Sequence, residues 1–298
     1  MIEQVGIIGV GHLASYLVEG LRRASHDIQI VLSPRNAARA TSLAARFGAT
    51  IATDNQAVVD AADLIILATR PGDATTAVEG VTFRPGQTVV SVAATLPLET
   101  LKPVVSPATA VRAMPISCAA INESPTLLYP DNPEARALFA LLGQVHVLPG
   151  ESHFIPASVI AAFYGWMYAL LDETVNWAIQ AGVPPLTARS LVLETVRGAA
   201  DMALAHPDEE LAGLLDALAT PGGITEHGLR VLKQGRGLSA WTEALEAVFN
   251  FTAKRAKNAK NSCGVLCGST ACRGLEMRQH DSNLCGPRPG DDRPRRGA

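Results

Sequence analysis

GIIGVGHLA, residues 6–14, joins the end of a short apolar run to the start of an amphipathic one. Its spacing is Gly9-x-Gly11-x-x-Ala14. Gly9 permits a tight turn, and Gly11 lets a pyrophosphate approach the backbone. Ala14, in the place of a third glycine, allows close packing of helix on strand. A helix beginning here offers free N–H groups and a positive dipole end to phosphates. An ordinary tight turn can carry the same letters. What makes the stretch a dinucleotide-binding fingerprint is its place at the first strand–helix junction of an alternating region.

That alternation extends outward from the fingerprint. Residues 5–9, 28–32, 64–68 and 88–92 are short, continuous apolar or β-branched runs. Such runs suit parallel strands buried on both faces. Residues 110–114 and 144–148 add later strands. Between them, residues 12–23 put Leu13, Leu17 and Leu21 on one helical face, and residues 37–47 end at Gly48, a C-cap signal. After about Glu151 the strand signals stop. Helices are expected over 156–181, 186–205, 211–217, 224–233 and 239–260. The first of these is apolar round much of its circumference, through Val159, Ile160, Phe163, Trp166, Met167, Leu170 and Leu171. A helix of that kind is deeply buried, and a partner subunit is the expected cover.

The fold class that follows is α/β: an N-terminal Rossmann doubly wound sheet followed by an all-helical dimerisation domain. The expected domains are 1–150, dinucleotide-binding, and 151–257, helical, with a disordered tail over 258–298. Homodimers or higher homo-oligomers would form through the C-terminal helices.

Bulk composition narrows the function classes. The chain has 298 residues, 48% hydrophobic and 18% charged, which is globular composition. A net charge of −3 gives no reason to expect nucleic acid or an anionic membrane as partner. Residues 252–298 hold ten Lys+Arg against four Asp+Glu, leaving fifteen against twenty-four elsewhere, so the tail is basic and the body acidic. Residues 4–10 lack the basic flank of a signal peptide. The apolar run 159–171 is short for a bilayer span and stops at Asp172. A soluble, cytoplasmic protein is expected. Of five cysteines, Cys118 lies in the body, and Cys263, Cys267, Cys272 and Cys285 lie in the tail without paired C-x2-C spacing. Neither a disulfide framework nor a metal site is expected.

VLSPRN, residues 31–36, ends the second strand. Asp or Glu here would take the ribose 2′-hydroxyl of NAD. Ser33 and Arg35 suit a 2′-phosphate instead, which favours NADPH over NADH. The plainer reading of Arg35 is a solvated loop arginine. LATRPGD, residues 67–73, and SVAAT, residues 91–95, end further strands at the same sheet edge, where ligands bind in such folds. ATPGGITEHG, residues 219–228, places Thr220 and Thr225 around Pro221, Gly222 and Gly223. Either it cradles a small anion at a helix start, or it is a Pro-Gly turn with Thr225 as helix cap.

The order GIIGVGHLA, SPRN, ADLIILATRP, VVSVAA, VRAMP, GVP and TPGGIT resembles pyrroline-5-carboxylate reductases over roughly residues 2–250. The resemblance implies a Rossmann domain, a helical dimerisation domain, and NAD(P)H-dependent reduction of a cyclic imine, as in proline biosynthesis. It places Gly9, Val10, Gly11, His12 and Leu13 at the pyrophosphate and Ser33 and Arg35 at the adenosine ribose. Asn55, Thr69, Arg70 and Pro71 would lie beside the cofactor, and Ala93 and Ala94 near the nicotinamide. Thr220, Gly222, Gly223 and Thr225 would hold a substrate carboxylate, with Thr225 near the imine nitrogen.

Two family motifs are broken. Met-Pro-Asn-Thr-Pro becomes Met114-Pro115-Ile116-Ser117-Cys118, losing an amide. Ser-Gly-Ser-Gly-Pro-Ala falls by spacing on residues 160–165, IAAFYG, so Phe163 and Tyr164 replace small residues. A pocket that loses polar partners rejects its original substrate. Either the imine differs, lacking the carboxylate, or the chain is a non-catalytic NADP-binding protein. Tyr164, with Tyr168, would supply a proton donor for the imine nitrogen, or both are packed helix residues. Glu194 and His227 are further polar candidates, and Cys118 is expected to be inert.

Overall fold

β1 (Gln4–Ile8) is apolar on both faces and lies inside an eight-stranded sheet, third from one edge. The computed structural model describes residues 2–267. From β1 the chain continues as α1 (His12–Ala24), β2 (Gln29–Leu32), α2 (Ala37–Phe47), β3 (Thr50–Ile51), α3 (Asn55–Ala61) and β4 (Leu64–Leu67). The second half of the sheet is α4 (Ala74–Ala77), β5 (Thr88–Ser91), α5 (Leu98–Val105), β6 (Thr109–Met114), β7 (Thr126–Tyr129), α6 (Pro133–Ala140) and β8 (Val145–Val147). Strand order is β3-β2-β1-β4-β5-β6-β7-β8. All neighbours are parallel except β6 and β7. The order reverses between β1 and β4, and that reversal opens a crevice at the strand ends.

Two apolar layers sandwich the sheet. One gathers Ile7, Leu17, Leu21, Leu32 and Phe139, the other Ile8, Ile65, Leu67, Val89 and Leu101, all buried. α1 packs without a Cβ at Gly20, where one would stand 2.0 Å from the Ala119 carbonyl oxygen and 2.8 Å from Leu142. This close approach seats the 3-10 turn Ser117–Ile121, which follows β6. The expected Gly48 cap on α2 is present, in the left-handed region at φ 65°.

The helical part runs α7 (Phe154–Gln180), α8 (Pro185–Ala205), α9 (Leu211–Leu218), α10 (Ile224–Gln234) and α11 (Gly237–Cys267). Met1–Ala259 pack as one compact unit. α11 continues past residue 257, where a disordered tail was expected to begin; residues 268–298, with Cys272 and Cys285, lie outside the described residues. Deep burial of α7 is not what a single chain achieves. Trp177 is 68% exposed, Leu186 85% and Leu204 79%. By length and composition alone, residues 151–180 would also pass for a membrane span. Apolar surface on this scale belongs to an interface.

The close approach at Gly20 has a measurable consequence. Gly20→Ala is expected to cost about 1–3 kcal/mol through overpacking against backbone. Gly228→Ala in α10, where a Cβ meets nothing, should stabilise by up to about 1 kcal/mol through helix propensity. Urea unfolding of the two variants reads both signs.

Candidate functional site

A cleft of about 360 Å3 opens over the ends of β1, β2 and β4, lined by Gly9, Val10, Gly11, Arg35, Asn36, Ala37, Ala68, Thr69, Arg70 and Asp73. Three strand ends meet here because the backbone permits it. Gly9 sits at φ 94°, and a Cβ on it would stand 2.8 Å from the Thr69 nitrogen and the Ala68 carbonyl carbon. Only glycine tolerates both the dihedral and the contact. The Gly9 N–H donates to Ser33 Oγ at 3.0 Å, and Asn36 Nδ2 donates to the Val10 carbonyl at 3.0 Å. β2 thereby fixes the loop from the side. Asn36 also caps α2, its Oδ1 accepting from Arg39 N.

Ser33 is buried at 1% exposure and does not line the cleft. Its hydroxyl accepts from the Gly9 N–H and braces the loop, so in this arrangement it does not face the place of a 2′-phosphate. Asn36 was the residue sequence reasoning missed; its signal is a cap residue directly after the second strand. Arg35 and Arg70 are exposed on the cleft, and neither makes an ion pair among the described residues. Asn55, expected at the cofactor, donates to the Ala77 carbonyl at 2.8 Å and does not line the cleft. Pro71 opens a 3-10 turn at its edge. His12 and Leu13 begin α1, and Arg39 reaches His12 Nε2 at 3.2 Å.

The residues present fit a dinucleotide phosphate. A Cβ on Gly11 would meet no protein atom within 4 Å, at the N-terminus of a thirteen-residue helix. Thr69 Oγ1 is buried and has no hydrogen-bond partner among the described residues. A buried hydroxyl without a partner costs stability, so a ligand atom on it would be favourable.

Ala93 is buried and Ala94 half-buried, at the end of β5. Arg112 on β6, 3% exposed, donates to the Ala94 carbonyl at 2.7 Å and to Glu151 at 2.8 Å. Burial pulls its pKa below the ordinary arginine value, opposed by the bond to Glu151.

On α7, the Tyr164 and Tyr168 hydroxyls are 2.8 Å apart. The Tyr168 pKa is pushed up to about 12, first by that hydrogen bond and then by burial, with Tyr164, Cys118 and Tyr16 adding to it. Burial also raises the Cys118 thiol. Phe163 packs edge-on against Trp241, ring centres 5.5 Å apart. Ile116 donates its N–H to Ser124 Oγ.

Thr220, Gly222, Gly223 and Thr225 do not line the cleft within one chain. α10 is capped by Gly223 without a side chain, so Thr225 is not its N-cap. A Cβ on Gly223 would stand 2.6 Å from Thr220 Oγ1, and Gly222 has φ 75°. The Gly222 N–H donates to the Glu226 carboxylate at 2.7 Å. Glu194 is exposed and bonded to Ser190, and His227 is bonded to Arg230. No cluster of three or more His, Cys, Asp or Glu able to hold a metal occurs among the described residues.

Comparison with known proteins agrees with both halves. The family model described as pyrroline-5-carboxylate reductase dimerisation matches residues 154–255. The one described as NADP oxidoreductase coenzyme F420-dependent matches residues 4–95. Pyrroline-5-carboxylate reductase 2 of Bacillus subtilis is 29% identical over 272 residues, covering 87% of this chain and 96% of the relative. Over most of its length the chain is similar to pyrroline-5-carboxylate reductases. The pyrroline-5-carboxylate reductase of Methanosarcina acetivorans is 26% identical over 264 residues, covering 82% and 94%. The solved structure of the Streptococcus pyogenes 1-pyrroline-5-carboxylate reductase superimposes with a TM-score of 0.72 at 26% identity, covering 87% of this chain and 98% of that one.

The orphaned hydroxyl makes a two-sided prediction. Thr69→Val should leave the ligand-free protein as stable or slightly more so, since an unsatisfied buried group is removed. The same change should weaken NADPH binding by roughly tenfold, the worth of one hydrogen bond. Thermal unfolding and fluorescence titration of one preparation read both.

Proposed function

We propose that this protein is an NADPH-dependent reductase of a small cyclic imine, of the pyrroline-5-carboxylate reductase type. The observation that carries the cofactor half is the cleft itself: a free helix start at Gly11, the partnerless Thr69 hydroxyl, and two arginines without carboxylate partners among the described residues. Arg35 extends from the end of β2, and a guanidinium there favours a 2′-phosphate over a free ribose hydroxyl. The similarity to pyrroline-5-carboxylate reductases, and the match of the helical part to their dimerisation model, support the reaction half.

A nicotinamide bound in this cleft would supply the hydride for the imine carbon, and the imine nitrogen would need a proton. The chain's own part is to orient and to protonate. Ala93 and Ala94 stand at the nicotinamide side of the sheet edge. Thr220, Gly222, Gly223 and Thr225 hold the substrate, with Thr225 toward the nitrogen. Tyr164 is the candidate donor: if Tyr168 spends its proton in the pair, Tyr164 keeps its own free for the imine. The apolar faces of α7 and α8 pair subunits, so the working unit is a homodimer or larger, in the cytoplasm.

One observation favours a second reading. The Gly222 N–H assigned to a substrate carboxylate is already held by the carboxylate of Glu226. With Ile116 in place of an amide and tyrosines on α7, an imine lacking the carboxylate is the alternative substrate. A non-catalytic NADP-binding role is the remaining one.

NADPH oxidation against pyrroline-5-carboxylate, its 2-carboxylate and six-membered relatives and unsubstituted cyclic imines separates the three. Turnover of a carboxylated imine, reduced roughly tenfold or more in kcat/KM by Thr225→Ala, is the expected result. Turnover only of unsubstituted imines selects the second reading. Tight NADPH binding with no turnover of any imine contradicts catalysis. Separately, Arg35→Ala should weaken NADPH binding by about 10–100-fold and leave NADH unchanged; equal effects on both cofactors would refute the 2′-phosphate assignment.

A further inference from the structure

A buried arginine inside a strand needs a reason. Arg112 lies on β6 between Val111 and Ala113, at 3% exposure. One terminal nitrogen donates to Glu151 at 2.8 Å, and the other to the Ala94 carbonyl at 2.7 Å. Its Nε has no partner among the described residues. The guanidinium lies 3.8 Å from the centre of the Phe154 ring, which opens α7. The same Glu151 oxygen accepts the Leu98 N–H at 2.6 Å, where α5 starts. The β5–α5 loop is thus held at two points, the Ala94 carbonyl and the Leu98 amide, by one ion pair.

Packing alone does not call for this arrangement. A buried ion pair is commonly replaced by hydrocarbon with no loss of stability, and here one N–H is left unsatisfied as well. What a hydrocarbon cannot do is fix the direction of a carbonyl. We propose that Arg112, with Glu151, is a positioning residue that holds the Ala93–Ala94 segment in the orientation a nicotinamide ring needs, and ties that segment to the first turn of α7. The inference rests on the cofactor reading above and not on the identity of the imine. Arg112 need not touch the cofactor; it acts through the loop. Its influence is confined to the nicotinamide end, because the adenosine end is built from Gly9, Gly11 and Arg35.

Two ligands separate the ends. NADPH uses the whole cleft, whereas adenosine 2′,5′-bisphosphate carries only the adenosine half. In the full-length protein, Arg112→Met should weaken NADPH by roughly tenfold, the worth of one charge-assisted hydrogen bond, and leave the bisphosphate affinity unchanged. Arg112→Lys, which keeps a charged donor, should recover part of the loss. Glu151→Gln should show the same selective pattern more weakly, and it stands in should Arg112→Met fail to fold. Unchanged NADPH affinity overturns the proposal, and so does an equal loss for both ligands, which would mean general loosening. A wild-type chain that turns over no imine would defeat the proposed reaction and leave this comparison readable. A wild-type chain that binds neither ligand would defeat both.

Discussion

The contact between Gly9 and the backbone of Thr69 is the constraint on which the site depends. At that distance no side chain can stand on Gly9, so the ends of β1 and β4 close to a separation that any other residue would forbid. The Gly9 N–H then turns toward β2 and finds Ser33. The loop is thereby fixed from two directions before any ligand arrives. α1 can begin at His12 with its amides facing the cleft, the arrangement that suits an anion.

The rest of the sheet edge extends the same principle. Loops after the strands are held by side chains that spend their polar atoms on backbone, as Asn36 does for Val10 and Arg112 for Ala94. Groups held this way cost no reorganisation when a ligand binds. The groups left without protein partners, Thr69 Oγ1 and the two cleft arginines, are those expected to meet the ligand. The helical part supplies a different element. α7 carries a tyrosine pair on one face and leaves apolar side chains exposed along its length.

Much of this was legible in the chain. Continuous apolar runs gave β1, β2, β4 and β5 because strands covered on both faces need no polar alternation. What was missed has local causes. β3 is two exposed residues, Thr50–Ile51, too short for any period. β7, Thr126–Tyr129, runs antiparallel, and its register comes from pairing with β6 rather than from its own letters. Ser33 was seen as a ligand contact because a sequence shows a hydroxyl at a strand end without showing which way it points. Arg112 stands as a charge amid apolar residues, a pattern that calls for a polar partner when the strand is buried. Its partner Glu151 is remote in sequence and became evident only in three dimensions. The tyrosine pair of α7 follows from i, i+4 spacing on one helix, whereas Phe163's packing on Trp241 joins α7 to α11 and depends on helix–helix geometry.

The central claim is that the crevice between β1 and β4 is where a dinucleotide acts. A crystal structure of the protein grown with NADPH tests it most directly. The expected result is the pyrophosphate over Gly11 at the start of α1, a hydrogen bond donated by Thr69 Oγ1 to a cofactor oxygen, the 2′-phosphate on Arg35, and the nicotinamide beside Ala93 and Ala94. A cofactor bound elsewhere, or bound here with Thr69 still without a partner and Arg35 turned to solvent, would contradict it.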